Sequence, residues 1–146
     1  MLSQCYFDKS RYAIFTGDCS ILKEMCEAFA KTQDRPCTIN TNHGDGVDIW
    51  IPSTKQGAKL QVRCLLSADK TCIRLSAAAK KFEHLTNGPV PEFDVAYFQL
   101  KLNANKAFFG EAQNGRVEFR MRASDRTRQM EVLAALAKGW RHNFAY

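Results

Sequence analysis

A chain of 146 residues, 45% apolar and 25% charged with a net charge of +6, is long enough for one domain with a core of its own. Ten Phe, four Tyr and two Trp argue against a disordered chain, and no run approaches the roughly 18 consecutive apolar residues of a membrane-spanning helix. Asp8, Lys9 and Arg11 interrupt the stretch from Met1 to Phe15, which does not read as a secretory signal, so a cytoplasmic location is expected. Residues 1–146 are taken as a single α+β domain, with 1–15 an N-terminal extension of unassigned structure.

A helix is predicted to begin near Thr16 to Asp18, whose small polar side chains suit a cap. Leu22, Met25, Cys26 and Phe29 follow at i, i+3, i+4 and i+7, the spacing of one buried helical face. Pro36 ends that helix at or before Arg35. Extended runs come next. Cys37 to Thr41 is short and rich in Thr, and the segment from Asn42 to Gly46 reads as a turn. Val47, Ile49 and Ile51 alternate with Asp48, while Trp50 falls on the polar side. Leu60, Val62 and Cys64 alternate with Gln61 and Arg63. After a tight connection at Ser67 to Lys70, a strand runs from Thr71 to about Ala77. The spacing is that of an antiparallel meander.

Lys80 to Pro91 is a loop punctuated by Asn87-Gly88-Pro89-Val90-Pro91. A helix is predicted to follow, over 91–104. It is apolar on two sides: Phe93, Tyr97, Leu100 and Ala104 on one, Val95, Phe98 and Leu102 on the other. One side can meet the sheet. The other needs a second cover, either a second copy of the chain, with Val95, Phe98 and Leu102 in a homodimer interface, or residues 1–15. Ala107 to Ala112 and Arg116 to Arg122 form a predicted hairpin around Asn114-Gly115, with Val117, Phe119 and Met121 inward. Ser124 or Asp125 can cap a last helix with a core stripe of Met130, Leu133, Leu136, Ala137 and Trp140. The coarse order is α-β-β-β-α-β-β-α, an antiparallel sheet with helices.

Leu100-Lys101-Leu102-Asn103, then Phe108-Phe109-Gly110, then Asn114-Gly115-Arg116-Val117-Glu118-Phe119-Arg120, followed by an amphipathic helix ending in Trp140 and Tyr146, resemble the YbjN family of bacterial sensory-transduction regulators. The similarity covers residues 18–146 in element order and about 97–122 in recognisable residues. It implies the fold of type III secretion chaperones, a non-enzymatic and often dimeric scaffold that holds extended segments of other proteins. Secretion chaperones of this kind tend to be acidic, and this chain is basic.

The candidate chemistry is sparse. The six cysteines lack Cys-x-x-Cys spacing, and with no export signal they are expected as free, mostly buried thiols in a reducing compartment. His43 and Asp45, with Asp48 nearby, make a weak His-x-Asp that reads better as turn chemistry than as a metal or acid–base site. His84 and His142 have no partner in sequence. Cys64 and Cys72 lie on predicted strands, where packing outweighs nucleophilic chemistry. No phosphate-cradling loop is present. Neither a metal nor a cofactor is expected, and no catalytic residue is assigned.

Charge is the sharper feature. Residues 1–100 carry 12 basic and 11 acidic side chains, and residues 101–146 carry 9 and 4. Arg116, Arg120 and Arg122 share the outer face of one strand, and Arg126 and Arg128 extend the row across the turn. Such a row suits acidic side chains or phosphates, or it is a plain solvated edge. Trp50 is a second candidate, either packed under a neighbouring element or anchoring a partner. The leading expectation is a non-enzymatic adaptor or chaperone-like module that holds a protein or peptide segment. The alternative is a nucleic-acid-associated regulatory protein using the C-terminal arginines.

Overall fold

The computed structural model describes residues 19–43, 46–53, 57–78, 80–82 and 116–142. Residues 1–15, the helix expected at 91–104 with Val95, Phe98 and Leu102, the first hairpin arm and the Asn114-Gly115 turn lie outside them, as do the side chains of His43, Arg116 and His142.

The first helix, α1 (Ser20–Ala30), buries the four residues that its spacing selects: Leu22, Met25, Cys26 and Phe29. Its N-cap is Cys19, which makes no side-chain cap bond. The first turn closes through the Lys23 N–H donating to the Cys19 carbonyl at 2.8 Å. At the other end the Thr32 hydroxyl donates to the Phe29 carbonyl at 2.7 Å, which meets one of the acceptors a helix leaves unpaired.

Among the described residues five strands follow: β1 (Thr38–His43), β2 (Gly46–Pro52), β3 (Lys59–Leu66), β4 (Cys72–Ala78) and β5 (Arg116–Arg122). They form one antiparallel sheet in the order β1-β2-β3-β4-β5. The class is α+β, and the meander expected from the alternation comprises β1 to β4. Cross-strand register carries one apolar face through the sheet. Val47 pairs with Cys64, and Cys64 with Leu75. Leu75 pairs in turn with Phe119. The last helix, α2 (Arg126–His142), joins α1 over this face, and the side chains of both helices and the inner sheet face form a single buried cluster.

The buried stripe of α2 differs from the expected one. Met130 is only partly buried, whereas Gln129, Val132 and Ala135 are buried with Leu133, Leu136, Ala137 and Trp140. A glutamine belongs there because its amide has work to do. Gln129 Nε2 donates to the Arg122 and Ala123 carbonyls at 3.1 and 3.0 Å, which satisfies acceptors where β5 turns into α2. Asp125 is the cap, accepting from the Arg128 N–H at 3.0 Å. Arg141, near the end of α2, ties three distant segments together. Its Nε and Nη2 donate to the Pro52 carbonyl at 3.2 and 2.9 Å, and its Nη1 donates to Gln33 Oε1 at 3.0 Å.

The cysteines need one correction. Cys19, Cys26, Cys37 and Cys64 are free thiols, as expected. Cys72 is disulfide-bonded, to a residue outside those described. It starts β4 on the face away from the helices, in register with Arg122, so the helical core does not enclose it as it encloses Cys26 and Cys64.

Candidate functional site

Side chains that alternate away from the helices make the second face of the sheet, and this face holds most of the candidate residues. Asp48 on β2 stands opposite Arg63 on β3. Its carboxylate is buried, accepting from Arg63 Nη1 at 3.0 Å through Oδ1 and from Gln61 Nε2 at 3.0 Å through Oδ2. A charge this far from water is tolerated only when it is paired and hydrogen-bonded, and both conditions are met. The carboxylate that stood near a weak His-x-Asp in sequence is thus held by a guanidinium and an amide. Among the described residues, no group of three or more His, Cys, Asp and Glu side chains could hold a metal ion.

Farther along the sheet, Arg74 on β4 is directly opposite Arg120 on β5. Like charges in that position repel. Glu118 resolves the conflict by sitting between them: Oε2 accepts from Arg74 Nη1 at 2.9 Å, and Oε1 lies 3.5 Å from Arg120 Nη2. The residue that interrupts the arginine row in sequence therefore partly neutralises it in space.

The remaining arginines are only loosely a row. Arg120 is 44% exposed despite its contact with Glu118, and Arg122 is exposed on the same strand. Arg126 is exposed and donates from Nε to Gln129 Oε1 at 3.1 Å. Arg128 is half-buried, with Nη1 3.7 Å from Glu131. The open cationic surface thus contracts to Arg120, Arg122 and Arg126. Trp50 is half-buried on the same face of the sheet, between Thr38 and Gln61 in register. It lies on β2, three strand spacings or roughly 14 Å from β5, so the sheet does not bring it to the arginines as one site.

The two outer strands are protected differently. β5 carries Arg116, Glu118, Arg120 and Arg122, the kind of charge that discourages a further strand from pairing. β1 reads Thr-Ile-Asn-Thr-Asn-His, without Lys, Arg, Asp, Glu or Pro. It pairs with β2 along one side, and among the described residues no strand pairs with the other. Thr38 and Thr41 are exposed along it. Sequence reading took β1 for an ordinary short strand. The signal that marks it is the missing edge charge, which acquires meaning only once strand order puts β1 at the rim.

Further titratable groups lie on the helix side, with Cys26 and Cys64 buried and Cys37 and Arg141 half-buried. The Sγ atoms of Cys26 and Cys64 are 3.8 Å apart. This contact, and then burial, pushes the Cys64 thiol well above its ordinary range. Burial also raises the Cys37 thiol, against the opposing pull of the Arg141 charge. Burial lowers Arg141 in turn.

No family model, no curated protein and no solved structure matches the chain.

Proposed function

We propose that this protein is a non-enzymatic, protein-binding adaptor or chaperone-like module that holds an extended segment of a partner against the β1 rim of its sheet. The observation that carries the reading is the uncharged, proline-free β1 strand at the rim, paired on one side only among the described residues. Main-chain hydrogen bonds along such a rim supply affinity for any extended peptide, and alternate side chains supply selectivity. Ile39 and the exposed Thr38 and Thr41 are the residues a docked strand would lie beside. The resemblance of residues 97–122 to the YbjN family adds sequence support for a segment-holding role. A cytoplasmic setting and a homodimer through the 91–104 helix belong to the same proposal.

The test uses tagged full-length protein and a Thr38→Lys/Thr41→Lys variant on native lysate, each half treated with nuclease. The proposal expects a protein captured equally with and without nuclease, and its affinity lowered on the order of tenfold in the variant, equivalent to about 1.4 kcal/mol. Equal capture by both chains would overturn the β1 assignment.

A second reading rests on the exposed Arg120, Arg122 and Arg126 at the β5–α2 turn: a regulator that associates with nucleic acid. Under it, capture disappears with nuclease, and log affinity falls linearly and steeply with log salt.

A further inference from the structure

Cys26 and Cys64 are 38 residues apart in the chain and meet with their sulfurs 3.8 Å apart, both wholly buried and both reduced. Most buried cysteines act as small apolar side chains, and either one alone would call for no other account. A pair in sulfur–sulfur contact is different. α1 presents one thiol downward and the centre of β3 presents the other upward, at the plane where helix and sheet pack. We propose that Cys26 and Cys64 form a peroxide-responsive dithiol, which closes to a disulfide and locks α1 onto the sheet.

The oxidant is a small hydroperoxide, for which hydrogen peroxide is the type. It is close to water in size and reaches the core through local opening, where a bulky disulfide would not. In the first step the Cys26 sulfur attacks one peroxide oxygen, the O–O bond breaks, and the products are Cys26 sulfenic acid and water. In the second step the Cys64 sulfur attacks the sulfenic sulfur. The S–O bond breaks, the S–S bond forms, and the departing hydroxyl leaves with the Cys64 proton as a second water. Two thiols and one peroxide thus give one disulfide and two waters, with two electrons passing from sulfur to oxygen. The two sulfurs are equally buried and in mutual contact, so the same sequence of steps runs with their roles exchanged.

Geometry sets what the closure demands. A disulfide holds its sulfurs about 2.05 Å apart, so the contact must shorten by about 1.8 Å. Rotation of the two side chains and a small advance of α1 towards β3 must share that distance. Cys37 packs against the same core and senses Cys26 electrostatically, so it lies close enough to need separate accounting in the experiment.

Trypsin makes the test direct. Cys26 lies in the peptide 24–31 and Cys64 in 64–70, each with no other cysteine, while Cys37 and Cys72 fall in other peptides. The folded full-length chain is treated with hydrogen peroxide, alkylated under denaturing conditions, digested without reductant and mapped by mass spectrometry. The expected result is a cross-linked 24–31/64–70 peptide two hydrogens lighter than the separate thiols, with a thermal midpoint raised by roughly 5–10 °C. Cys26→Ala and Cys64→Ala should each abolish both effects. The proposal is overturned if the folded wild-type chain leaves both peptides alkylated, oxidises either cysteine only to sulfinic acid, or forms the cross-link solely in denaturant. The wild-type map decides among these results even if a variant does not fold.

Discussion

Gly46 stands where β2 starts against β3. A β-carbon built there would run into the Cys64 carbonyl oxygen and come within 2.7 Å of the Leu65 side chain. Backbone cannot retreat from such a clash as a flexible side chain can, so Gly46→Ala is expected to lower unfolding free energy by about 1–3 kcal/mol, read as a lower midpoint in urea with an unchanged slope. Cys64 offers a pH-dependent counterpart. Its thiol is held neutral in the fold, so the folded pKa is raised and the unfolded chain loses the proton first. Stability from this group is therefore fully present below about pH 8.5 and is lost as pH rises from there towards the folded value. Urea midpoints of the wild type should fall between about pH 8.5 and pH 10. Cys64→Ala, although less stable throughout, should fall less steeply over that window. Equal slopes for the two proteins would mean that Cys64 does not titrate differently on unfolding.

At the level of elements, the Asp48–Arg63 pair joins β2 to β3 across a buried row. Removing one partner leaves the other charge stranded, so Asp48→Ala is expected to cost roughly 3 kcal/mol, the low end for a buried pair because Arg63 is 23% exposed. Replacing both, as Asp48→Ala/Arg63→Met, should recover part of that loss, and the double-mutant cycle measures the coupling. Single costs that simply add would show that the two side chains do not act together. This pair also marks where sequence legibility ends. Leu22, Met25, Cys26 and Phe29 were readable because a helix repeats every 3.6 residues. The inner faces of β2 and β3 were readable because strands alternate. Both are local periodicities. Alternation also assigned Asp48 and Arg63 to a polar face, but only register places them opposite each other, and register is a property of two strands. The Arg74–Glu118–Arg120 bridge was hidden for the same reason. Gln129 escaped because a polar residue in an apolar stripe looks like an error until the carbonyls beneath it are known. The position of β1 at the rim of the described sheet depended on strand order, which no single segment encodes.

Over the whole molecule, a count of 21 Lys and Arg overstates the exposed cationic surface, because Asp48, Glu118 and Glu131 each hold an arginine nearby. An acidic peptide steered by Arg120, Arg122 and Arg126 should therefore respond to salt with a shallower slope than nucleic acid, which also releases condensed counterions. Arg120→Ala/Arg122→Ala is expected to weaken an acidic peptide severalfold at low ionic strength and hardly at all near 0.5 M salt, where the screening length is only a few ångströms. A loss that is the same at both salt concentrations would assign these arginines to direct contact and not to steering. The cover of the sheet is itself divided between the two extremes of the described chain, with α1 before the strands and α2 after them. Arg141 completes the arrangement by reaching back 89 residues to Pro52 and 108 to Gln33. During synthesis, then, the apolar side of the sheet is made before the helix that covers it, β5 preceding α2 along the chain. The nascent protein passes through an interval in which Leu75, Phe119 and Met121 lack their final lid. How quickly translation runs from codon 122 to codon 141 sets how long that surface is open to chaperones, to proteases and to other copies of itself.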